Sequence, residues 1–88
     1  MKIVKKDGRL QDFNLNKIKT SIYRASDDAN QPLNTSDIDN IAKDIEISIK
    51  DLQKDTVRFD IIKEIVISQL EKSGFNTLSK FYNLGSLE

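Results

Sequence analysis

At 88 residues, 38% of them apolar and 32% charged, the chain has room for one domain with a modest core, and no apolar run approaches the roughly 20 residues of a membrane helix. Cysteine and histidine are both absent, which excludes disulfides, thiolate nucleophiles, imidazole bases and every common zinc ligand set. The net charge is zero, yet residues 1–26 carry seven bases against two acids, a local +5 that suits a compact anion better than a long nucleic acid, which the acidic remainder would repel.

The chain opens on two short strand-like runs, Lys2-Ile3-Val4-Lys5 and Arg9-Leu10-Gln11-Asp12-Phe13, with Asp7-Gly8 between them as a hairpin signal. Two registers are open. A two-residue turn pairs Lys5 with Leu10, whereas a three-residue loop with Gly8 as a left-handed bulge pairs Lys5 with Arg9 and sets Ile3, Lys5, Gln11 and Phe13 on one face.

Asn14 then caps a helix from Leu15 to about Ala29, whose Leu15, Ile18, Ile22 and Ala25 or Ala29 form a buried stripe. Pro32 breaks the pattern. Thr35 or Ser36 is the expected cap of a second helix running to about Leu52, striped by Ile38, Ile41 or Ala42, Ile45, Ile49 and Leu52. Thr56-Val57-Arg58-Phe59 reads as a third strand, and Asp60 as the cap of a third helix to about Lys72. Its Ile61, Ile62, Ile65, Val66, Ile67 and Leu70 are apolar around much of the circumference, so it is expected to be the most buried element. Gly74 ends it, and Asn76 starts a last helix with Leu78, Phe81, Tyr82 and Leu84. Tyr23 and Tyr82 are both expected to put their rings in the core.

The order ββααβαα predicts an α+β fold in which a three-stranded sheet covers a four-helix bundle. A single domain over residues 1–86 is expected, with Leu87-Glu88 set aside as vector-derived. Nothing at the N-terminus reads as a secretory signal, which makes a cytoplasmic location the default.

Gly8, Gly74 and Gly85 are too isolated for a glycine-rich phosphate loop, so side chains would have to hold any phosphate. Lys5, Lys6 and Lys17 are the candidates, the last in the first turn of a helix whose N–H groups add to the attraction. Ile3, Phe13 and Ile18 interleave with them as walls for a purine, and Gln11 or Asp12 could bond its edge or the ribose, though each apolar residue equally suits a plain core. The carboxylates sit mostly at helix starts or on exposed faces, where capping explains them.

Ile3-Val4-Lys5-Lys6-Asp7-Gly8, then Phe13 and Asn16-Lys17-Ile18, resemble the opening of the ATP-cone family, the N-terminal regulatory domain of ribonucleotide reductases. The likeness continues through Ile62, Val66 and Leu70, the break at Gly74-Phe75, and Leu78-Ser79-Lys80-Phe81-Tyr82. It implies a fold of four helices under three strands, with ATP or dATP, accompanied by Mg2+, bound between them. By the same resemblance Lys5 and Lys6 would contact phosphates, Ile3, Phe13 and Ile18 surround adenine, Gln11 approach base or ribose, Lys17 close the site, and Phe59 and Lys63 line it. Lys6 stands where the family usually has arginine, and Phe59 where a small hydroxyl residue is common. The implied role is allosteric and not catalytic: control of an attached reductase catalytic domain, of the anaerobic class, through self-association, with no nucleic acid or membrane as direct partner. Two other roles remain open at this point, the cone of a transcriptional repressor without its zinc ribbon and a degenerate cone that serves only protein interaction.

Overall fold

A computed structural model of the chain describes residues 1–84; Leu87-Glu88, read above as vector-derived, lie outside the described residues. The fold is α+β, in the order β1 (Lys2–Val4), β2 (Leu10–Asp12), α1 (Leu15–Asp28), α2 (Thr35–Asp51), β3 (Thr56–Arg58), α3 (Phe59–Lys72) and α4 (Asn76–Leu84). Strand β1 is central in a mixed sheet, antiparallel to β2 and parallel to β3.

The hairpin adopts the three-residue loop. Ile3 lies opposite Gln11 and Val4 opposite Leu10. The Lys5 N–H donates to the Arg9 carbonyl at 2.8 Å, and the Gly8 N–H to the Lys5 carbonyl at 2.9 Å. Gly8 has φ +88°, a backbone conformation that a residue with a Cβ enters only with strain, which is why glycine stands at this bulge. Side chains alternate across a strand, so Ile3 and Lys5 share the inner face with Gln11, and Phe13 continues that face beyond the end of β2.

The helices form a closed ring in which α1 packs on α2, α2 on α3, α3 on α4, and α4 on α1. One apolar cluster fills it, including Ile22 from α1, Ile38 and Ile45 from α2, Ile62, Val66 and Leu70 from α3, and Leu78 from α4. Val57 of the sheet belongs to the same cluster, and Ile3 and Phe13 pack against it, which fastens the strands across one end of the bundle. The strands are three residues each and could not stand alone, so this apolar contact is what holds them.

Four local expectations are corrected. The cap of α2 is Asn34, not Thr35 or Ser36. Its Oδ1 accepts the Asp37 N–H at 2.8 Å, the usual reach of a capping oxygen to the third helical residue, which leaves Thr35 and Ser36 inside the first turn. The cap position of α3 is Arg58, without a side-chain hydrogen bond, because β3 runs directly into the helix. Asp60 lies one turn-position inside and takes the Ile61 N–H at 3.0 Å. Nor is α3 the most buried element. It buries Ile62, Val66 and Leu70, whereas α2 buries Ile38, Ile41, Ala42, Ile45 and Ile49. The apolar arc of α3 is wider than its neighbours cover, and Ile61 stays exposed beside a shallow groove against α2. Tyr23, finally, is exposed: one position past Ile22, it is turned about 100° away from the buried stripe of α1.

Candidate functional site

The inner face of the hairpin does not close fully on the bundle. Between it, α1 and the start of α3 lies a cavity of about 360 Å³. The sheet contributes Ile3, Lys5, Gln11 and Asp12; α1 and its cap contribute Asn14, Asn16, Lys17, Ile18, Thr20, Ser21 and Arg24; and α3 contributes Phe59 and Ile62. Each group is placed for a local reason. Strand alternation turns Ile3, Lys5 and Gln11 inward together. On α1 the steps from Lys17 to Thr20 or Ser21 and on to Arg24 are three or four residues, which keeps all of them on one face. Phe59 is the first residue of α3 because β3 ends at Arg58, so its ring arrives at the cavity wall directly from the sheet.

Seven of the ten residues expected at a site therefore line one cavity: Ile3, Lys5, Gln11, Asp12, Lys17, Ile18 and Phe59. Three do not. Lys6 is exposed on the turn, while Phe13 is half-buried against the core and Lys63 half-buried on α3. Asn14, Asn16, Thr20, Ser21, Arg24 and Ile62 line the cavity without having been singled out from the sequence. The helical spacing from Lys17 would have led to Ser21 and Arg24, had the face that α1 turns to the hairpin been known.

The electrostatics favour an anion. Lys5, Lys17 and Arg24 all reach the cavity wall, and none of them has a carboxylate partner among the described residues. The one carboxylate on the wall among the described residues, Asp12, is paired with Lys2. The Lys2 hydrogen bond, with the charge behind it, holds the Asp12 carboxyl below the usual carboxylate range, so it is ionised and already satisfied at neutral pH. At the tip of the hairpin Asp7 is lowered too, by the Arg9 N–H first and the Arg9 guanidinium after it, which ties the turn rather than the cavity.

Ser21 joins the cavity to the far side of the bundle. Its Oγ lies 3.1 Å from the Tyr82 hydroxyl of α4 and donates to the Ile18 carbonyl at 2.7 Å. Burial pushes the Tyr82 phenol up to about 12, against the smaller opposing effect of the Ser21 hydrogen bond. An unfolded tyrosine loses its proton near pH 10, while the native one keeps it, so stability is intact below about pH 10 and falls by about 2–3 kcal/mol as the pH rises towards 12. Urea titrations at pH 9 and pH 11.5 should show this loss, and Tyr82→Phe, which cannot ionise, should show much less of it.

The family model of the ATP cone domain matches residues 1–84, nearly the whole chain. The chain belongs to that family. A search of curated proteins finds no match for it. ATP cones are nucleotide-binding regulatory domains. No helix among the described residues is long and apolar enough to cross a membrane.

Proposed function

We propose that the cavity of this cone binds ATP or dATP and that its occupancy regulates an attached ribonucleotide reductase, of the anaerobic class, by changing how the protein associates. The observation that carries the binding step is the set of three cations, Lys5, Lys17 and Arg24, on an otherwise largely apolar cavity with no acid available to them among the described residues. Apolar walls with a few placed polar groups are the common form of a cofactor pocket. Ile3, Ile18, Phe59 and Ile62 supply the surface for a purine, and the amides of Gln11, Asn14 and Asn16 supply donors and acceptors for its edge.

No group of three or more metal-ligating side chains occurs among the described residues, so Mg2+ would arrive on the triphosphate and be held by it. ATP and dATP differ only in the 2′-hydroxyl, and a regulator that separates them needs a polar contact at the ribose. Gln11, Asp12 and Lys17 are the residues assigned to it. Calorimetric titration tests the reading: saturable binding of ATP and dATP supports it, and no heat from either at millimolar concentration sinks it.

A further inference from the structure

The stripe of α1 that lines the cavity extends further than phosphate contact by the hairpin requires. Lys17 lies in the first turn of α1, and Arg24 is seven residues on, about 10 Å along the axis. Only Phe13 and Asn14 separate β2 from α1, so the helix starts at the end of the hairpin away from the turn. Lys5 is at the turn end, paired with Arg9. Lys5 and Arg24 nevertheless line the same cavity. Gln11, Asn14 and Asn16 bring amides to the cavity wall, and Lys5, Lys17 and Arg24 bring its cations.

From this we infer that Arg24 is a specificity-determining residue that binds the terminal phosphate of the nucleotide and sets a preference for triphosphates over monophosphates. The inference rests on the proposed nucleotide site and assigns the ligand's direction within it: base towards Gln11 and Asn14, phosphates towards Lys5 and Arg24. A guanidinium is suited to the task, since its planar fork donates two parallel hydrogen bonds to a phosphate, where an ammonium acts as a point charge. Lys6 presents no such fork from the hairpin, and Arg24 supplies the only guanidinium on the cavity wall among the described residues. Arg24 is exposed and has no carboxylate partner among the described residues, so it is available to an incoming anion.

The test is calorimetric titration of the protein and of Arg24→Gln with ATP, ADP and AMP, with thermal melts of both in the absence of ligand to show that the exposed substitution leaves the fold unchanged. The expected result is an ATP affinity reduced about ten- to hundredfold, the loss of a charged hydrogen-bond donor, with AMP affinity unchanged within about twofold. An equal loss for ATP and AMP, or no loss for either, overturns the role of Arg24 while leaving the nucleotide site in place. Absence of binding by the unsubstituted protein overturns both.

Discussion

Ile45→Ala should cost about 3–5 kcal/mol and leave the domain largely unfolded at 37 °C. Ile45 is fully buried at the middle of α2, within the one cluster that joins all four helices, so removing its side chain leaves a cavity that the surrounding isoleucines have no room to close without moving the helices. A domain of this size has little stability in reserve, and one such cavity consumes much of it. Ile47 provides the control. It is the same residue type two positions along the same helix but about half exposed, at 49%, and Ile47→Ala should change stability by no more than about 0.5 kcal/mol. Urea unfolding followed by circular dichroism measures both. If the two variants lose the same amount, the burial of α2 described above is wrong.

The second large effect is on binding. Lys5→Ala should weaken ATP about ten- to hundredfold without lowering the melting temperature of the free protein by more than a degree or two. Lys5 is half-buried, its stem lies on the inner face of the sheet, and it has no acid to hold among the described residues, so its loss removes a cation from the cavity and leaves no partner orphaned. Lys6→Ala should weaken ATP much less, because Lys6 sits exposed in the hairpin turn and is not on the cavity wall. Titration of the two variants side by side checks the pair. Equal losses would mean that net charge on the hairpin matters and the inward geometry of Lys5 does not.

Periodicity and turn signals were enough for the element order, because each helix carries an apolar stripe, Asp7-Gly8 marks the hairpin, and each later break carries Pro32, Gly74 or a short polar run. The details that escaped were those in which several residues compete for one role. Asn34, Thr35 and Ser36 are all good caps in succession, and which one serves depends on how the chain leaves Pro32-Leu33, a tertiary matter. At α3 the expected Asp60 cap was displaced because β3 passes into the helix with no intervening turn. The hairpin register was open between two loops, and Gly8, at φ +88°, takes the bulge position that fixes it.

The cavity wall was legible in the same uneven way. Ile3, Lys5, Gln11, Lys17 and Ile18 could be singled out because they fall within one hairpin and the first turn after it, where sequence neighbours are also spatial neighbours. Phe59 came from the family resemblance, since nothing local connects it to the hairpin before β3 pairs with β1. Ser21 and Arg24 needed the path of α1 across the hairpin. Phe13, named with Ile3 and Ile18 as a purine wall because the three lie close in sequence, packs against the core cluster, as an aromatic under a small sheet commonly does.

The central claim, that this one cavity holds the nucleotide, is tested most directly by following backbone amide NMR signals during an ATP titration. The account predicts saturable shifts concentrated at Ile3, Lys5, Gln11, Lys17, Ser21 and Phe59, with the outer face of α2 around Lys43 and Ile47 unmoved. Saturable shifts centred elsewhere, or no shifts at millimolar ATP, would contradict it.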